Sequence, residues 1–176
     1  MTETNKREFS IRRAFLLPLG LLLLLIVLLL ATAMIQGQEA GKLIILAAMI
    51  LPIVGLFVES AARKAEIGDE AVTVHKFLRD RSLRYDELTS LDAVVVRKRA
   101  FLSLSTMEGF LIISNAYEDF PALVRALLAK VSDDVIGDEV RQMAADPPVK
   151  SGDIVSCWVG VVLLALILVI QLRGFF

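Results

Sequence analysis

Several chemistries are nearly missing from this chain. Among 176 residues there is one cysteine, Cys157, and one histidine, His75. A single thiol cannot close an internal disulfide, and a lone histidine without companion thiols offers no metal-ligand set. No glycine-rich phosphate loop and no paired-cysteine motif occurs. Charge of one sign is missing as well. The 19 basic and 20 acidic residues leave a formal net charge of −1, which gives no pull toward nucleic acid. Ser103 and Ser105 alternate with leucines and lack the setting of an activated nucleophile. The chain therefore reads as a non-enzyme, with no catalytic residue, cofactor or metal expected.

Apolar residues are what the chain has in abundance, at 56% of the total. They are concentrated in three uncharged runs, Ala14 to Ile35, Leu43 to Val58 and Ile154 to Ile170. Each is near or above the length needed to cross a bilayer. No ionisable residue sits at the middle of any run, so an ion pathway through this protein alone is not expected. Pro18, Pro52 and Gly55 read as packing or kink positions. The expected layout is an N-terminal segment at 1–13, a membrane hairpin at 14–59 (helices 14–35 and 43–59), a water-soluble domain at 63–131, a juxtamembrane linker at 132–152, a third crossing at 153–172 and a tail at 173–176.

Charge sets the expected topology. Lys6, Arg7, Arg12 and Arg13 precede the first run, and Arg63 and Lys64 follow the second. Under the positive-inside rule the N-terminus and the soluble domain are cytoplasmic and the C-terminus external. A cleaved signal peptide competes for the first run, since Ala31-Thr32-Ala33 resembles a cleavage site. The run is longer than a signal core, which favours a retained anchor.

Between the second and third runs the pattern changes to period two. Val72 and Val74 alternate with polar neighbours, as do Leu102 and Leu104, and Leu91 to Val96 and Phe110 to Ile113 are rich in β-branched residues. Turn residues separate these segments, predicting about six short antiparallel strands from Arg63 onward. Phe120, Leu123, Val124, Leu127, Leu128 and Val131 then form one helical stripe. Asp119 is the expected N-cap, with Pro121 in the first turn. Ser132 to Ala145 reads either as a short second helix or as irregular linker.

The segments Ile67-Gly68-Asp69-Glu70-Ala71-Val72, Arg81-Ser82-Leu83-Arg84-Tyr85-Asp86-Glu87-Leu88 and the closing Phe120 to Leu128 resemble bacterial pleckstrin-homology-like domains. The resemblance covers residues 63–131. It implies an α+β protein: three transmembrane helices plus a small cytoplasmic antiparallel β-barrel or sandwich capped by a C-terminal amphipathic helix. It further implies a bacterial inner-membrane location and a binding or assembly role, and it supplies no catalytic residues. Eukaryotic relatives often hold phosphoinositides around the first hairpin. Counted from Arg63, that hairpin turns at Gly68-Asp69-Glu70, which would repel phosphate, so no specific phosphoinositide is expected.

Strand parity sorts the charges. In a meander starting at Arg63, the loops carrying Lys76, Arg79, Arg81, Arg97, Lys98 and Arg99 return to the end where the chain leaves the membrane. The turns carrying Asp69, Glu70, Asp86, Glu87 and Glu108 lie at the other end. Basic residues near anionic headgroups contribute about 1 kcal/mol each, so the first set reads as a membrane-surface contact and the second as a partner-facing acidic end. Ordinary solvated turn residues would give the same pattern. His75 reads as a rim histidine, with a pH-responsive group as its alternative. The expected partners are the lipid bilayer and a protein or a second copy, with no nucleic acid. The expected function is a membrane-anchored scaffold for protein assembly. The alternative is an accessory subunit of a transporter or membrane enzyme complex, held through its helices.

Overall fold

The structure is a computed structural model that describes residues 6–96, 98–148 and 152–173. The chain divides into two compact units, one holding the strands and two short helices, the other holding three long helices.

The first unit contains two antiparallel sheets. One has the order β1 (Arg7–Ser10), β2 (Lys64–Ile67), β3 (Ala71–Lys76), β4 (Arg79–Arg84). The other has the order β5 (Leu88–Val96), β6 (Arg99–Thr106), β7 (Gly109–Ser114). The period-two pattern becomes the core: Ala65, Ile67, Val72 and Val74 point inward from the first sheet, and Leu91, Leu102, Leu104, Leu111 and Ile113 from the second. The six strands expected from Arg63 onward are β2 to β7.

The first strand was not foreseen. Arg7–Ser10, expected as a basic flank of the membrane run, pairs with β2 from Arg7↔Ile67 to Ser10↔Lys64. Ion pairs Lys6–Glu66 and Lys64–Glu8, both 2.6 Å, tie the two strands. The unit that holds the sheets therefore begins before the first long apolar helix, and the two long helices that follow are an insertion between β1 and β2. A consequence is that Gly68–Glu70 joins the second and third strands.

The helix α3 (Phe120–Leu128) buries Phe120, Leu123, Val124, Ala126 and Leu127. Asp119 caps it as expected, its carboxylate accepting from the Ala122 amide at 3.3 Å. Asp119 does so from the left-handed region, φ 47°. Next comes a segment expected as linker at 132–152, with helix left open at Ser132 to Ala145. It holds a 3-10 turn at Asp133–Val135 and a helix, α4 (Asp138–Ala145). Val140 and Met143 are buried, and the Gly137 amide donates to the Leu91 carbonyl at 2.8 Å. This segment packs on β5 as part of the domain.

In the second unit, α1 (Arg13–Ile35), α2 (Ala40–Ala62) and α5 (Gly152–Arg173) are each long and apolar enough to cross a membrane. At 22 or 23 residues, each spans roughly 33–35 Å against a hydrocarbon core of ~30 Å. Leu19, Ile26 and Ala33 are buried one heptad apart on α1, facing α5 with Val161. Gly160 allows close approach, since a Cβ there would meet Leu22 Cδ1 at 2.9 Å. At the far ends Gln171 Nε2 donates to Gln36 Oε1 at 2.9 Å, so α1 and α5 run in the same direction. Helix α2 buries none of its residues.

Candidate functional site

The candidate site is the end of the β-domain from which the chain passes to its helices. Ser10 and Lys64 are paired there, three residues before the chain reaches α1 and two after it leaves α2. The segment after β7 fastens this corner. Arg12 N–H donates to the Ala116 carbonyl at 3.2 Å, Glu118 N–H to Ser10 at 2.8 Å, and Ile11 bridges Tyr117. Beside it lies Asn115, the one buried polar or charged side chain among the described residues, 1% exposed. Its Nδ2 donates to the carbonyls of Lys98 (2.9 Å) and Pro148 (2.7 Å). The β5–β6 turn and the chain's approach to α5 are thus held by one amide. All three passages toward the helices leave the domain at one end.

Two basic hairpin tips occupy that end. Lys76 pairs with Arg79 across the β3–β4 hairpin, leaving Phe77 and Leu78 at its tip. Arg99 pairs with Val96 across the β5–β6 turn and is exposed, as is Lys98, while Arg97 lies outside the described residues. Lys76, Arg79 and Lys98 make no ion pair among the described residues. Arg81 has a different role. It lies on the inner-facing side opposite Val74, and its Nη1 donates to the Phe110 carbonyl on β7 at 3.0 Å. That bond links the two sheets and draws Arg81 away from the tips.

The acidic residues lie at the other end. Asp69, Glu70 and Asp86 line one shallow cavity of ≈ 350 Å³ with Arg84, Tyr85 and Lys130. Lys130 Nζ reaches Asp69 at 2.8 Å, and Arg84 is bidentate on Asp86 at 3.0 and 2.9 Å. The Arg84 hydrogen bond holds the Asp86 carboxyl below its ordinary range. Burial, helped by the Asp69 charge, pushes the Tyr85 phenol up to about 12. Glu87 approaches Arg84 at 3.8 Å, and Glu108 lies on the exposed β6–β7 turn, outside the cavity. Much of the acidic charge is thus neutralised internally.

His75 bridges two strands, its Nδ1 3.0 Å from Asp80 and its Nε2 3.6 Å from Glu66. Among the described residues no group of three or more His, Cys, Asp or Glu side chains could hold a metal ion. Sequence reasoning also passed over the outward face of the second sheet. Val94 and Phe101 are paired there, with Ile112 opposite Ser103 and Phe110 opposite Ser105. Val94, Phe110 and Ile112 are exposed. The apolar outward positions were visible as β-branched runs, but which face met the core was not.

Comparisons with protein families, curated proteins and solved structures find no match, so the functional reading rests on these surfaces.

Proposed function

We propose that the protein is a membrane-anchored, cytoplasmic pleckstrin-homology-like scaffold of a bacterial inner membrane, one that recruits a protein partner rather than catalysing a reaction. Four strands, three strands and a closing helix, in that order, support the domain resemblance. The basic charge at both ends of the α1–α2 hairpin supports the orientation. The observation that carries the binding role is the solvent-facing apolar patch of Val94, Phe101, Phe110 and Ile112, on a sheet whose opposite face already fills the core. Exposed apolar clusters of this kind mark interaction surfaces.

Photo-crosslinking from Ile112 in native membranes tests the proposal. The expected result is a discrete crosslinked partner that disappears with Val94→Asp. A specific observation favours the accessory-subunit alternative: α2 lacks buried residues and so leaves its apolar surface to lipid or another helix. Crosslinks formed only from α2, and none from Ile112, would replace the scaffold reading with helix-held assembly.

A further inference from the structure

The β3–β4 hairpin has the wrong chemistry for a solvated turn. Tight hairpin turns favour Gly, Asn and Asp, which accept left-handed backbone angles or bond their own backbone. Here Lys76 and Arg79 close the hairpin around Phe77 and Leu78. Neither residue adopts positive φ. Neither helps the core, for Phe77 is 56% and Leu78 87% exposed. The turns at the opposite end carry Asp69, Glu70 and Glu108 instead.

Register fixes where this tip lies within the domain. Lys64, the first residue of β2, pairs with His75, one residue before Lys76. Strand rise then places the tip roughly 7 Å beyond Lys64 along the sheet, only one strand to the side. Lys64 itself follows the last residue of α2 by two positions. A hairpin so near the residue at which the chain enters the sheet from α2 is held within reach of the bilayer surface by covalent connection.

We propose that Phe77 and Leu78 insert into the interfacial layer of an anionic bilayer, with Lys76 and Arg79 on the headgroup phosphates. The chemistry is complementary at both levels. An aromatic and an aliphatic side chain suit the boundary between headgroups and acyl chains, and flanking cations suit the anionic surface above it. Lys98 and Arg99 on the β5–β6 tip add charge at the same end of the domain, beside the exposed Val95 and Val96. Insertion adds a fourth attachment to the three covalent ones and sets the orientation of the domain. The acidic cavity and the outward apolar patch then stay available to a partner. This inference does not depend on what that partner is.

The test uses the full chain with Cys157→Ser, reconstituted in nanodiscs of phosphatidylglycerol and phosphatidylcholine. A nitroxide is attached through Leu78→Cys in one sample and Met107→Cys in another. Met107, 91% exposed, reports on the opposite end. Collision rates with oxygen, which partitions into lipid, and with a water-soluble nickel chelate give the depth of each label. The expected result is a severalfold higher oxygen-to-nickel ratio at Leu78→Cys, retained at high salt and reduced by Phe77→Ser. Equal ratios at the two positions overturn the proposal. So does a high ratio that vanishes at high salt, which would mean surface attraction without insertion. Shielding of the Leu78→Cys label from both reagents would assign the tip to a protein contact and also overturn it.

Discussion

Glu66 carries the most legible electrostatics of any single residue in the domain. Its hydrogen bond from Lys6 holds the carboxyl below its ordinary value, against slight burial that acts in the opposite sense, with help from the Lys6 charge and His75. A carboxyl whose folded pKa is depressed stabilises the fold above its unfolded pKa, and the contribution fades as pH falls through the folded one. Stability of the β-domain should therefore decline from about pH 4 downward, with β1 loosening from β2. Glu66→Gln should flatten this acid limb, checked by denaturant midpoints at neutral and acid pH. The same acid-limb slope in both proteins would remove Glu66 as its source. The sequence showed that Glu66 was charged. It could not show Lys6 across a strand pair, because the two residues are separated by both membrane helices.

At the scale of elements, long periodic signals were readable and short ones were not. The three membrane runs, six of the seven strands and α3 with its Asp119 cap follow from apolar spacing and turn chemistry. Strand β1 has four residues, two of them exposed, and its charges read equally well as a membrane flank. Helix α4 offers only Val140 and Met143 as buried anchors, too few to separate helix from linker. Asn115 gave no signal at all, since a loop asparagine ordinarily needs no tertiary explanation. Its two carbonyl partners come from the β5–β6 turn and the end of the α4 segment. Asn115→Ala should cost about 1–3 kcal/mol by stranding partly buried acceptors. Asn115→Asp should cost more, because a buried carboxylate would face two carbonyl oxygens. Urea titration of the full chain in detergent, followed by near-ultraviolet dichroism, measures both. Wild-type midpoints would show that the amide does not hold this corner.

For the whole molecule, the interrupted domain makes its own prediction. Because Ser10 pairs directly with Lys64, a short Gly-Ser turn joining Arg12 to Ala62 should replace the helical hairpin without disturbing the sheet. Such a chain, ended at Pro148, should unfold cooperatively by circular dichroism. A version starting at Ala62 should be markedly less stable, having lost β1 and the buried Ile11. Equal melting of the two would show that β1 adds nothing to the domain. The sequence by itself determined the three apolar helices and the period-two strands. These depend on local spacing along the chain. Only the tertiary structure decided that the domain starts before the membrane hairpin, that Arg81 joins the two sheets and that Asn115 ties two chain segments together. It also decided that Phe77 and Leu78 stand clear of the core. Pairing across the inserted hairpin and the choice of buried face come from non-local packing, which residue spacing does not encode.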